Sequence, residues 1–198
     1  RRWSGFAASA LSQLGLAVPA FYAGILLVVV FAVKLRWLPA NGYVELRDAS
    51  GWWDWAGWAQ HLVLPVLSLV LVQASVLTRY VRSAFLEVLH EDYFRTARAV
   101  GWTPWRALWR HGLRNVAISV LTVLGLQLST MLVGAIVVEQ VFRLPGLGTA
   151  LLQAVGNGDL QVVQGIVMLL VGFVLVVNLV TDLAYLLIDP RLRSGERR

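Results

Sequence analysis

The chain has 198 residues, of which 58% are hydrophobic and 14% charged, with a formal net charge of +6 and a mean hydropathy of +0.69. A soluble domain carries roughly a quarter charged residues, so this composition excludes a disordered chain and an ordinary cytosolic enzyme and points to an integral membrane protein. The absence of cysteine removes a disulfide framework, thiolate metal sites and a cysteine nucleophile together.

Residues 3–33, 55–78, 115–138 and 160–181 contain no Asp, Glu, Lys or Arg. Each exceeds the roughly 20 residues that cross about 30 Å of hydrocarbon as a helix. Four spans are expected, near Ser12–Val33, His61–Thr78, Val116–Val138 and Gln161–Ile188. Backbone polar groups in lipid must pair within their own segment, and no alternating ten-residue strand pattern is present, so the expected class is all-α, a polytopic helical bundle forming one domain. Arg1 stands where an initiator Met is usual, and no signal segment with a cleavage site precedes the first apolar run, which suggests a start further upstream.

Between the first two spans lie Trp37, Trp52, Trp53, Trp55 and Trp58. Indoles favour the headgroup level, so the cluster reads first as an anchor for the second span, with ligand stacking as the sharper alternative.

The segment from Leu89 to Asn115, LHEDYFRTARAVGWTPWRALWRHGLRN, is too polar to span and too patterned for a connector. Glu91 and Asp92 suit a helix's first turn and Gly101 its exit, where a positive φ is often required. Thr103 followed by Pro104 is a cap and first-turn proline for a second short helix. On that helix Trp105, Leu108, Trp109 and Leu113 should share one face and Arg106, Arg110 and Arg114 another, laying it on the inner leaflet as it runs toward the third span.

Lys and Arg distribute by side. Arg1, Arg2, the seven arginines from Arg79 to Arg114, and Arg191, Arg193, Arg197 and Arg198 fall on one side; Lys34, Arg36, Arg47 and Arg143 fall on the other. By the positive-inside rule the first side, with both chain ends and the 89–115 loop, is cytoplasmic. The charge is therefore a topological signal and not a nucleic-acid footprint, since no recognition motif accompanies it.

Within the spans, Asp182 is a formal charge and a functional candidate by default, although its nearness to Asp189 and Arg191 favours an ion-pair or helix-contact role. Gln127, Thr130 and Asn178, with Ser129, either line a pathway or bond neighbouring helices. Gly125, Gly134, Gly165 and Gly172 suit helix packing. After Glu139, the run Phe142-Arg143-Leu144-Pro145-Gly146-Leu147-Gly148 reads as a turn that ends one helix and starts a re-entrant or surface one.

Enzyme chemistry finds little support. Gly156-Asn157-Gly158-Asp159 superficially matches the G-x-G-D of intramembrane aspartyl proteases, but its candidate partner Asp182 lies most of a span away. His61, His90 and His111 lack the i, i+4 spacing of a zinc helix, so no metal site is expected. No G-x-x-x-x-G-K-[ST] occurs, so ATP hydrolysis is not assigned to this chain.

Arg95-Thr96-Ala97, Gly101 and His111-Gly112-Leu113-Arg114 resemble the E-A-A, three residues, G, nine residues, I-x-L-P loop of permease subunits in binding-protein-dependent ABC importers. Ala97, Gly101 and Leu113 match. The departures at Arg95, Thr96, His111 and Arg114 resemble the dipeptide, oligopeptide and nickel branch, whose form Y-x-R-T-A-R-A-x-G and H-x-L-R-N is present as Tyr93–Gly101 and His111–Asn115. Arg79-Tyr80-Val81-Arg82-Ser83, Thr122–Gln127, Glu139 with Val141-Phe142, Pro145–Gly148 and Val177–Asp182 extend the likeness across nearly the whole chain.

The resemblance implies a MetI-like permease fold in the cytoplasmic membrane. Members usually carry six spans, so this chain resembles the last four. It implies that Asp92–Ala99 is a coupling helix seated in an ATPase groove, with Asp92, Tyr93, Arg95, Thr96, Ala97, Arg98, Ala99, Gly101, His111, Leu113 and Arg114 carrying the contact. Arg95 and Arg98 have inner-leaflet attraction as their alternative. Glu139, Phe142, Pro145, Gly146 and Gly148 are placed near a pore's outer mouth. The implied partners are a second related permease, two ATPase subunits holding ATP and Mg, an extracytoplasmic solute-binding protein and the bilayer, and the implied cargo is a dipeptide or oligopeptide. Nickel or another small solute is the alternative cargo, and a membrane scaffold without transport the alternative class.

Overall fold

The computed structural model describes residues 18–47 and 52–188. Helix α1 covers Ala20–Leu27 and continues as a π-helical stretch, Val28–Lys34. Then follow α2 (Trp55–His90), α3 (Asp92–Ala99), α4 (Pro104–Ala107) with its π-helical extension Leu108–Gly112, α5 (Leu113–Phe142), α6 (Leu147–Asn157) and α7 (Leu160–Ile188). Among the described residues α2, α5 and α7 are long and apolar enough to cross a membrane, and no strand ladder forms beyond one isolated bridge, Arg47 with Trp53. The chain is a multi-pass, all-helical membrane protein.

The first expected span differs from what is seen. Ser12–Ala17 lie outside the described residues, and the helix begins at Ala20 because Pro19 is extended, with φ −60° and ψ 148°. Proline has no N–H and disfavours helix at the residue before it, so Pro19 serves as the cap, its carbonyl accepting from the Ala23 N–H at 3.0 Å.

Helix α2 outruns the expected His61–Thr78 at both ends. Asp54 caps its start, with Oδ1 accepting the Gly57 N–H at 2.8 Å, so Trp55 and Trp58 belong to the helix and not to the preceding loop. Beyond Thr78 the charged stretch remains helical because Ala84 and Val88, one turn apart, are buried. Charge ends a membrane crossing but not a helix. Trp53 and Trp55 stack at 5.4 Å and Trp55 meets Trp58 edge-on at 6.3 Å; Trp52, Trp53 and Trp55 are exposed.

The described residues form two compact units. The first holds residues up to Ser75 with Thr130–Gly172. Leu64, Val138 and Phe142 are its core, against which Ala20, Leu27, Phe31 and Leu144 pack. A Cβ on Gly24 would stand 2.9 Å from the Phe142 ring and 3.5 Å from Ser68, so this glycine sets the approach of α1 to α2 and α5. Proline 65 sits inside α2, and the buried Ser68 hydroxyl donates to its carbonyl at 2.7 Å.

The second unit holds Val76–Ser129 with the residues from Phe173 onward. Ala84, Val88 and Val116 form its core, joined by Phe85, Tyr93, Leu108 and Val120. Here α5 and α7 approach at Gly125, whose Cβ would lie 3.0 Å from the Thr181 side chain, and the Tyr185 hydroxyl bonds Thr122 Oγ1. Gly125 thus does pack a helix. Gly165 and Gly172, expected to do the same, face open space, as α7 presents most of its apolar surface outward.

Candidate functional site

In the second unit, a helical hairpin is pinned to the core from within. The turn between α2 and α3 is closed by the Glu91 N–H on the Val88 carbonyl at 3.3 Å, and Glu91 O in turn accepts from Phe94 and Arg95. Phe94 is buried, and half-buried Tyr93 packs on the Ala84, Val88 and Val116 cluster. Asn115 Nδ2, at the start of α5, donates to the Tyr93 hydroxyl at 3.0 Å. Tyr93, Phe94 and half-buried Ala97 therefore turn α3 inward, leaving Asp92, Arg95, Thr96, Arg98 and Ala99 exposed. Arg95 and Asp92 pair at 3.7 Å with side chains 68% and 98% exposed, which contributes little stability and leaves both available to a partner.

The exit from α3 is a two-bond reverse turn. Gly101 N–H donates to the Arg98 carbonyl at 3.0 Å and Trp102 N–H to that of Ala97 at 3.2 Å, with Gly101 at φ +93°. Trp102 folds back toward Ala97, and with Tyr93, Thr96 and Val100 they line an open cleft of about 460 Å³. Thr103 then caps α4, its Oγ1 accepting the Arg106 N–H at 3.4 Å, with Pro104 in the first turn.

The expected faces of the second short helix are corrected. Ala107 is fully buried, Leu108 packs on the core, and a Cβ on Gly112 would lie 2.7 Å from Val88. Trp105 and Trp109 point the other way, 67% and 57% exposed. At about 100° per residue Trp105 and Trp109 share one side of the helix and Ala107 with Leu108 another, so burial of Ala107 turns both indoles outward. Leu113 is half-buried and Arg114 exposed. His111 contributes backbone to the π-helical turn, its side chain lying outside what the structure describes.

In the first unit, the segment after α5 is organised around Glu139. Its Oε2 accepts the Thr149 N–H at 2.9 Å, so this carboxylate, ten residues upstream, caps α6 where Gly146, the residue at the cap position, has no side chain. Thr149 Oγ1 donates to the Leu144 carbonyl at 3.1 Å and accepts from Gln140 Nε2 at 3.0 Å. A Cβ on Gly146 would overlap the Glu139 carboxyl group, and one on Gly148 would lie 2.8 Å from the backbone of Ile136. Arg143 ends α5 at φ +54°, its turn closed by the Leu144 N–H on the Glu139 carbonyl at 2.9 Å. Phe142 is fully buried in the core, and Pro145 is exposed in the turn.

The polar residues expected along a pathway differ in exposure within their own units. Gln127 is buried in the second unit, where Asn178 and Asp182 are exposed on α7; Thr130 is exposed in the first unit. Asp189 and Arg191, invoked as neighbours of Asp182, lie outside the described residues. Asp159 is a helix cap, Oδ1 accepting the Val162 N–H at 3.1 Å, which accounts for its carboxylate without catalysis.

Residues 1–194 match the family described as "Binding-protein-dependent transport system inner membrane component". The chain belongs to this family. Among its relatives it is 39% identical over 195 residues to a "Probable peptide ABC transporter permease protein" of Sinorhizobium fredii, covering 97% of this chain and 61% of the relative. It is 39% identical over 200 residues to a di/tripeptide transport system permease of Pseudomonas aeruginosa, covering 92% and 59%. It is 42% identical over 192 residues to a glutathione transport system permease of Salmonella choleraesuis, covering 97% and 58%. The chain thus spans about three fifths of the length of these relatives. This is a family of membrane transport components.

Sequence reading did not single out Phe94, Gly112, Asn115 or Thr149. Asn115 was visible as the last letter of H-x-L-R-N; the others required knowing which surfaces meet. The Tyr93–Asn115 bond ties the two halves of the family motif together, and its strength is measurable. A double-mutant cycle of Tyr93→Phe and Asn115→Ala, read by denaturant unfolding in detergent, should return a coupling of about 0.5–1 kcal/mol, as for a partly solvated hydrogen bond. A coupling of zero would mean the bond does not fix α3.

Proposed function

We propose that the chain is the membrane-embedded permease part of an ATP-driven importer for dipeptides or oligopeptides. The observation that carries this is α3: a short helix seated on the core by Tyr93, with Phe94 buried and Arg95, Thr96, Arg98 and Ala99 outward, at the family's coupling-loop position. An element with one face fixed to the bundle and the other exposed transmits displacement instead of absorbing it. Arg95 and Arg98 suit carboxylates or helix C-termini on an ATPase surface, and the cleft floored by Ala97 suits a partner side chain.

In this reading two cytoplasmic ATPase subunits hold ATP and Mg and close on hydrolysable nucleotide. Their movement, carried through α3, shifts two permease subunits between inward-open and outward-open packings. An extracytoplasmic binding protein delivers the cargo. The 89–115 loop and both ends of the chain are cytoplasmic, in keeping with the arginine distribution. The peptide cargo is supported by the named relatives.

The test is ATP-dependent uptake of a labelled dipeptide by cells lacking the gene and by cells complemented with it. Uptake should disappear and return. Unchanged uptake in the deletion strain, with no other peptide importer present, would favour a scaffold and overturn the proposal.

A further inference from the structure

A second exposed surface of the hairpin has chemistry unlike that of α3. Trp105 and Trp109 meet edge-on at 5.6 Å and point away from the core on which Ala107 and Leu108 rest. Arg106 places its guanidinium 4.9 Å from the centre of the Trp102 ring. Trp105, Arg106, Trp109 and Arg110 line an open cleft of about 530 Å³. No acidic residue occurs between Asp92 and Glu139, so the segment that forms this surface carries basic side chains alone.

We propose that this cleft binds the phosphate headgroup of an anionic phospholipid from the leaflet that α5 enters. Three features favour lipid over protein as the occupant. The uncharged stretch of α5 begins at Asn115, and at about 1.5 Å per residue Arg110 lies only about 8 Å before it, at headgroup depth. Indole rings prefer this boundary, where an apolar body and a hydrogen-bonding N–H are both satisfied. Two guanidiniums flanking an aromatic pair offer planar donors to phosphate oxygens while the rings cover the glycerol and upper acyl carbons. The bound lipid would hold the π-helical turn at a fixed depth, a footing against which α3 works. The inference rests on α5 crossing the membrane and not on the identity of the cargo or motor.

The test uses the full-length permease, assembled with its partners, in phosphatidylcholine vesicles doped with photoactivatable phosphatidylglycerol. Peptide mapping should place adducts between Trp105 and Arg114, suppressed by unlabelled phosphatidylglycerol but not by excess inorganic phosphate. The double variant Arg106→Gln, Arg110→Gln should lower retained phosphatidylglycerol by about 10-fold in native mass spectrometry. A Trp105→Leu, Trp109→Leu variant should do so more weakly, with ATPase association unchanged in both. Suppression by inorganic phosphate, adducts indifferent to both variants, or crosslinks from this cleft to an ATPase subunit in place of lipid would each overturn the proposal.

Discussion

Replacing Gly101 with proline should abolish ATP-dependent peptide uptake while leaving the protein in the membrane at normal abundance. Gly101 sits at φ +93°, and proline is fixed near −65°, so the chain cannot leave α3 in its present direction. The substitution also deletes the N–H that closes the turn on Arg98, and the neighbouring bond from Trp102 to Ala97 goes with it. The cleft that Trp102 shares with Ala97 is dismantled, and α3 loses its tether to α4. Helices α2 and α5 keep their own hydrogen bonds and their apolar surfaces, so insertion is spared. A milder series isolates the cause. No atom lies within 4 Å of a Cβ built on Gly101, so Gly101→Ala meets no steric barrier and costs only the left-handed backbone, about 1–2 kcal/mol. Gly101→Asn, which tolerates this conformation better, should retain more uptake than Ala. Ala97→Trp approaches the same element from the other side, filling the cleft and blocking a docked partner. Uptake, membrane abundance and ATPase co-purification are the three readouts; wild-type uptake by Gly101→Pro would show that α3 transmits nothing.

The parts of this architecture that were legible in the sequence are those whose causes are local. Thr103-Pro104 starts α4 and Gly101 ends the turn before it because capping and φ are decided within a few residues. Asp92 opens α3 for the same reason. The uncharged stretches locate the long helices because hydrocarbon tolerates little else. Helix ends were less legible: Asp54 extends α2 to include Trp55, and burial of Ala84 and Val88 carries it past Thr78 to His90. The orientation of Trp105 and Trp109 was missed because the buried side of the helix is marked by small Ala107, which an apolar pattern led by large side chains passes over. The role of Glu139 was hidden for a different reason. Its partner, the Thr149 N–H, is a backbone group on another helix, and only the glycines at positions 146 and 148 hint that something must approach there.

Those two glycines support the second large effect: Gly148→Leu should undock α6 from α5. An ideal Cβ at Gly148 would stand 2.6 Å from Ile136 Cγ1 and 2.8 Å from Ile136 Cα. The side chain at Ile136 can rotate, but its Cα belongs to a hydrogen-bonded helix and cannot yield, so α6 must move. Moving it draws the Thr149 N–H from the Glu139 carboxylate and the Thr149 hydroxyl from Leu144 and Gln140. Overpacking of this kind costs about 2 kcal/mol, roughly a 30-fold loss of the docked state, before the lost cap is counted. This chain lacks cysteine, which makes the measurement clean. Gln140→Cys with Thr149→Cys places thiols on either side of the α5–α6 contact, and a short thiol-reactive bifunctional reagent should link α5 to α6. Adding Gly148→Leu should suppress that crosslink, whereas Glu139→Gln, which keeps an acceptor oxygen and loses only the charge, should weaken it slightly. Should α6 be part of the transport gate, uptake should follow the crosslink yield across the series. Equal crosslinking in all three backgrounds would show that neither the glycine nor the carboxylate holds α6 in place.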